Sequence, residues 1–240
     1  LDSEVGSVCQ VNDGKAINGN ALAIFDEAKA FTATHQGDLV ATLEEQDVVL
    51  RGSFIVTGPS GPFDHFSIEA RFSPDFPNDE PKIFETGGRI PRLADRHVYE
   101  SSERCCTCVW EEWLVRNRIR TLEGFMRGPV NDYFVSQCHF EIHNSWPYGE
   151  RSHGEIGVFE AACELLNIEP NAEVAPNIQA CIGLLLFVQA GKPLKGHNPC
   201  PCGSEMKFRD CHRDKLNVIA ENLTPDLAMR LLRRMTRKDT

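Results

Sequence analysis

One histidine and three crowded cysteines hold the chemistry most legible in this chain. Cys105, Cys106 and Cys108 fall within four positions, directly behind the polar run Glu100-Ser101-Ser102-Glu103-Arg104, and His97 precedes Cys105 by eight residues. A thiol is a nucleophile only as its thiolate, so the chemistry needs exposure and nearby positive charge to bring the group below the roughly 8.5 of a free cysteine. Arg104 and His97 are the cations at hand. The pattern predicts a thioester-forming site, with plainer roles for some of its members. Cys108 equally suits a small buried apolar position. His97 is expected to fix its loop by a side-chain to backbone hydrogen bond rather than to move a proton. Spacing disfavours a zinc site built from these four residues, because structural zinc sites usually separate paired cysteines by two to four residues and adjacent Cys105 and Cys106 cannot easily both reach one ion.

A second set of ligands lies near the C-terminal end, in Asn198-Pro199-Cys200-Pro201-Cys202-Gly203-Ser204 followed by Lys207-Phe208-Arg209-Asp210-Cys211-His212. Here metal is the favoured reading. Cys200 and Cys202 can clamp an ion from a proline-stiffened turn, Gly203 lets the backbone fold back, and Cys211 and His212 complete a Cys₃His set. Four protein ligands leave no position for water, which predicts structural zinc. The competing reading is a disulfide pair. Ten irregularly spaced cysteines, with no N-terminal run of 7–15 apolar residues behind a basic stretch, instead suit a reducing cytosol, and a cytoplasmic location is expected. The segment resembles the SEC-C motif, a small zinc module, with Glu205-Met206 where that motif usually has Gly-Lys and all four ligands in place.

Strands must position the first site. Residues 65–72 alternate polar and apolar without a break and run into Pro74, Pro77 and Pro81, the pattern of an antiparallel strand with one buried face ending in a stiff loop. Residues 39–43, 48–56 and 82–85 are further β-rich runs, so a four-stranded meander is predicted in an α+β fold. The helical expectations are 110–126 and 131–141 separated by Gly128-Pro129, 155–166, and a core helix over 180–188 that stops at Gly191-Lys192-Pro193. The apolar run 180–188 is far shorter than a membrane span.

A strand meander, a proline-rich corner, then His97 and Cys105-Cys106, then helices, resembles the ubiquitin-conjugating (UBC) enzyme fold in its divergent bacterial form. The resemblance covers roughly residues 36–165, on Phe76-Pro77-Asn78-Asp79-Glu80-Pro81, Ile90-Pro91-Arg92, Asp95-Arg96-His97 and Cys105-Cys106. The stretch 146–157 is similar to a segment of UBC-like proteins from bacterial antiphage (CBASS) operons. It implies that Cys106, then Cys105, carries an acyl group as a thioester. The cargo it implies is the C-terminus of a partner protein, a cGAS-like nucleotidyltransferase, passed on to an acceptor amine. In the eukaryotic family Pro-Asn follows the histidine and the asparagine stabilises the oxyanion; here Val98-Tyr99 stands in its place, and a backbone N–H is expected to serve. That departure supports the alternative of a non-catalytic module that docks a partner tail while the zinc segment recruits a target.

The expected organisation is a polar N-terminal segment over 1–20, a UBC-like domain with helical extension over 21–192, and a SEC-C-like zinc module with a basic helix over 193–240. The net charge of −10 argues against nucleic acid as partner of the whole surface. From 191 to 240, eleven Lys or Arg face six Asp or Glu, about +5, which would steer this tail onto an acidic partner or the chain's own acidic body. Residues 224–235 begin with an N-cap threonine and an N1 proline and continue as an amphipathic basic helix expected to pack on protein. His139 and His143, four apart, lack a third ligand in sequence. Ser152 or His153 is expected to cap the helix after it, and Trp146 and Tyr148 to pin their loop.

Overall fold

The computed structural model describes residues 11, 12, 15–147, 151–168 and 174–236. The chain forms two compact units that interleave in sequence, one from residues 1–107 and 120–147, the other from 108–119 and 148–240.

In the first unit, the short strands β1 (Val11–Asn12) and β2 (Lys15–Ala16) pair with each other, and helix α1 (Gly19–His35) follows, capped by Asn18, whose side chain accepts from the amide of Asn20. The sheet is β3 (Leu39–Glu44), β4 (Asp47–Gly58), β5 (Gly61–Phe72) and β6 (Lys82–Glu85), antiparallel throughout and in sequence order, which is the expected meander. Alternation sorts its two faces. Phe54, Phe66, Ile68, Phe72 and Ile83 are buried on one, whereas Glu44, Arg51, Glu69 and Arg71 form a cross-strand ladder of ion pairs on the other, with Arg51 Nε 2.6 Å from its register partner Glu69. Gly52, at φ +138°, is required where β3 begins, because a Cβ there would lie 2.1 Å from the Asp38 carbonyl oxygen.

The buried face is covered by α1, through Ala21, Ile24, Ala28 and Phe31, and by the helical stretch α3 (Leu122–Phe125), a π turn (Met126–Val130) and α4 (Asn131–His143). Phe134 of α4 stacks on Phe66 at 4.6 Å and leans on Phe54 at 5.6 Å. The expected helix over 110–126 is broken: α2 (Trp110–Arg116) ends at Asn117, whose side chain donates to the Trp113 carbonyl, and Thr121 caps α3 by accepting from the Gly124 amide. Gly128-Pro129 does not separate helices as expected. The π turn absorbs the missing proline N–H and the chain continues into α4.

The second unit contains α2, α5 (Gly154–Leu166), α6 (Val174–Ala190), α7 (Arg213–Ile219) and α8 (Pro225–Thr236). Gly191 follows α6 at φ +60°, as the expected stop requires. The Thr224 hydroxyl accepts from the Leu227 amide, and Leu227, Ala228 and Leu231 are buried where α8 packs on α5 and α6, so the amphipathic basic helix packs on protein. Its charge is used inside the unit: Arg230 and Arg234 meet the buried carboxylate of Glu111 on α2 at 3.5 and 2.6 Å. Among the described residues, no helix is long and apolar enough to cross a membrane.

Candidate functional site

The His97 segment leaves β6 through a loop anchored to the sheet and to α4. Arg89 lies over the Phe66 ring and pairs with Asp64 and Glu141, each at 2.6 Å. A 3₁₀ turn (Ala94–Arg96) then places Arg96 against α4, where its guanidinium donates to Gln137 Oε1 and its carbonyl accepts from Gln137 Nε2. His97 follows in the left-handed region, at φ +51°, and reverses the chain.

From there residues 97–106 form a narrow hairpin. Cys106 N donates to His97 O at 2.8 Å, Tyr99 N donates to Arg104 O at 2.9 Å, and Val98 is the bridge partner of Cys105. Side chains alternate across paired strands, so His97, Tyr99, Arg104 and Cys106 share one face and Val98 and Cys105 the other. Burial follows this division. Val98 and Cys105 are 5% and 3% exposed, whereas Cys106 is only partly covered. The inner face docks beside β6, with Cys105 N donating to Ile83 O at 2.8 Å.

The two adjacent thiols therefore differ in environment. Cys105 lies beside Tyr133, whose hydroxyl donates to the Arg96 carbonyl at 3.3 Å, and burial pushes the Cys105 thiol up to about 11. Cys106 lies on the outer face, diagonally across the hairpin from Tyr99. Arg104, the expected local cation, sits with its guanidinium 4.8 Å from the centre of the Tyr99 ring and 3.4 Å from Glu80. The His97 ring packs edge-on against Trp146 at 4.8 Å, and Trp146 against Phe140 at 4.7 Å, so Trp146, expected to pin its own loop, also holds the His97 loop. Tyr148 lies outside the described residues. Cys108 is half-buried in the segment before α2. Tyr99 was not among the expected site residues; the signal for it was its place two residues after His97, on the outward side of an extended chain.

The rings of His139 and His143 meet on α4 at 4.3 Å, tilted by 38°. His153 stands at the N-cap of α5 without a capping side-chain bond, and Ser152 does not cap either: its amide and hydroxyl both donate to Glu160.

The C-terminal ligands do converge. The Pro199–Lys207 bridge, with Cys200 N donating to Met206 O and Gly203 N to Cys200 O, forms a knuckle that presents Cys200 and Cys202, with Gly203 at φ +81°. A 3₁₀ turn (Phe208–Asp210) returns Cys211 and His212 to it. The four ligand atoms lie within 4.8 Å of one another, and among the described residues this is the only such group. His212 Nδ1 is 3.4 Å from Cys200 Sγ and 3.0 Å from Cys211 Sγ, and Cys202 Sγ is 3.6 Å from Cys211 Sγ. Metal–sulfur bonds of about 2.3 Å in a tetrahedron give edges of about 3.5–3.8 Å, so the donor set fits a four-coordinate ion with little movement. His212 Nδ1 is the ring nitrogen that faces the sulfurs, and Nε2 is buried with no hydrogen-bond partner among the described residues. Without a cation burial raises the Cys200 thiol to about 12; a divalent ion reverses that balance by binding the thiolate. The knuckle seats on α6 through Gly183, where a Cβ would lie 2.1 Å from the Pro201 carbonyl oxygen, and through Phe187, whose ring meets Phe208 at 5.4 Å.

This arrangement is a small Cys₃His metal-binding module. Residues 198–214 match the SEC-C motif, in agreement with the resemblance read from the sequence. No curated protein and no solved structure matches the chain significantly.

Proposed function

We propose that the protein is a ubiquitin-conjugating-enzyme-like acyl carrier, in which Cys106 holds the C-terminus of a partner protein as a thioester and passes it to an amine. The observation that carries this reading is the division of the cysteine pair by the hairpin, which sends Cys105 inward to Tyr133 and leaves Cys106 outward beside Tyr99 and Arg104. A helix followed by a four-stranded antiparallel meander and a loop bearing His97 and Cys106 supports the UBC-like fold.

In this reading Cys106 thiolate attacks the carbonyl carbon of an activated carboxyl, the leaving group departs with its bonding pair, and the thioester remains until an amine displaces the thiolate. His97, held by Trp146, positions the loop rather than moving a proton. The carboxyl meets Cys106 already activated; these 240 residues hold no Gly-rich phosphate loop. The ion of the C-terminal module is zinc, on its thiolate-rich donor set. When bound, zinc fixes the knuckle and has no open position for substrate. The cargo is a cGAS-like nucleotidyltransferase in antiphage defence, in the cytoplasm, by resemblance to the operons in which such chains occur.

The test is a covalent trap. The chain is co-expressed with such a nucleotidyltransferase as wild type, Cys106→Ser and Cys105→Ser, and each is read by non-reducing gel and intact mass. The expected result is an adduct that thiol cleaves in the wild type and that survives thiol as an oxyester in Cys106→Ser. Co-purification of the partner with every variant and no adduct in any would replace the carrier with a binding module.

A further inference from the structure

We propose that Tyr99 is a catalytic residue of the Cys106 site, its hydroxyl donating first to the Cys106 thiolate and then to the oxyanion that forms on the attacked acyl carbon. The inference rests on the reading of Cys106 as nucleophile and deepens it.

The hairpin carries the argument. The backbone pairs join His97 with Cys106 and Tyr99 with Arg104, so Tyr99 and Cys106 are diagonal neighbours on one face. That separation is within reach of an aromatic side chain, and the Cys106 side chain is among the groups that hold the Tyr99 phenol in its protonated form. The ring is held by the Arg104 guanidinium stacked on it, and Arg104 is held in turn by Glu80. The donor is thus fixed before any substrate arrives, as electrostatic stabilisation of a developing charge requires.

The remaining charged and titratable groups agree with a donor role. Cys105, Glu85 and Tyr133 stand on the inner side of the hairpin, and Glu103 at its turn pairs with Arg92. Burial, then the neighbouring Cys106 charge and hydrogen bond, hold the Tyr99 phenol above its ordinary range, so it keeps its proton wherever Cys106 is a thiolate. The step balances without a redox partner. Sγ bonds to the acyl carbon, the carbonyl π pair moves onto oxygen and is met by the Tyr99 O–H, and the pair returns as the leaving group of the activated carboxyl departs. The oxygen of that intermediate is bonded to the carbon that carries Sγ, so a donor already on Sγ has only a short shift to make.

The experiment uses the full chain with Tyr99→Phe, which keeps the ring and its contact with Arg104, and with 3-fluorotyrosine placed at position 99, a stronger donor. Alkylation of Cys106 by iodoacetamide is followed against pH by peptide mass. Loss of the hydroxyl should raise the midpoint by about one pH unit and slow reaction at pH 7 several-fold, and the fluorinated ring should lower the midpoint below wild type. Transfer from a small glycyl thioester, measured above the midpoint where the thiolate is saturated, should fall on the order of a hundredfold in Tyr99→Phe. Midpoints and transfer rates unchanged in both variants would overturn the assignment. Neither probe needs a protein partner, so failure of the covalent trap alone removes the carrier reading and leaves the Tyr99 result standing.

Discussion

The Cys106 amide donates to the His97 carbonyl at 2.8 Å, and this bond sets which of two adjacent cysteines meets solvent. A slip of one residue in the pairing would exchange Cys105 and Cys106 between the faces. Reactivity should therefore divide sharply between them. In wild-type protein near pH 7.5, iodoacetamide should label Cys106 at least tenfold faster than Cys105, as read by peptide mapping, because Cys105 is buried and stays protonated. Equal labelling would mean that the hairpin opens in solution.

Cys105 also predicts an alkaline limit to stability. Its folded pKa, about 11, lies above the unfolded value near 9, so between these pH values the folded chain binds more protons than the unfolded chain and stability falls as pH rises. The loss should approach about 2–3 kcal/mol for a shift of two units. Chemical denaturation at pH 8 and pH 11 should show a smaller drop in Cys105→Ala than in wild type.

The knuckle yields a pair of substitutions with opposite signs. Gly183→Ala drives a methyl into the Pro201 carbonyl oxygen and should cost about 1–3 kcal/mol, with weaker zinc retention in a chelator competition. Glu205 adopts φ +59°, at a position where the SEC-C pattern usually has glycine. Glu205→Gly relieves a left-handed conformation that costs a residue with a Cβ about 1–2 kcal/mol, less the added freedom of glycine when unfolded, and should raise the melting temperature slightly. If both variants melted like wild type, the seating of this module on α6 would be irrelevant to its stability.

Glu111 should show an asymmetry between partners. The carboxylate is 3% exposed, while Arg230 and Arg234 are 28% and 29% exposed. Removing both cations leaves a buried charge uncompensated, at about 3–5 kcal/mol, whereas Glu111→Gln leaves two guanidiniums that water already reaches. Urea unfolding of Arg230→Met/Arg234→Met should therefore show the larger loss.

Much of this was legible in the chain because local pattern and final environment agreed. Alternation in 65–72 marks β5, and Gly191-Lys192-Pro193 marks the end of α6. The metal ligands were legible because cysteine and histidine at that spacing around Gly203 have few other uses. Helix α1 was not among the expected elements, although Asn18 and the spacing of Ala21, Ile24, Ala28 and Phe31 mark it; small alanines make a faint stripe. The break after Arg116 and the π turn depend on side-chain caps at Asn117 and Thr121 and on a proline tolerated by a wide turn, which no hydrophobic period reports. Tyr99 escaped notice because its role lies in a diagonal contact, and residue spacing along one strand carries no information about that.

The interleaving of the two units bears on how the protein is made. Glu111 is synthesised 123 positions before Arg234, so α2 leaves the ribosome long before α8, the helix that neutralises its buried carboxylate. Contacts of such sequence separation form late, after the cost of closing a long loop has been met. Until then the nascent segment 108–119 has an unmatched acidic and apolar surface, in the middle of a chain whose sheet is already able to pair. Any contiguous fragment that contains one unit whole carries part of the other with it, so dissection of the protein calls for point substitutions or circular permutation in place of truncation.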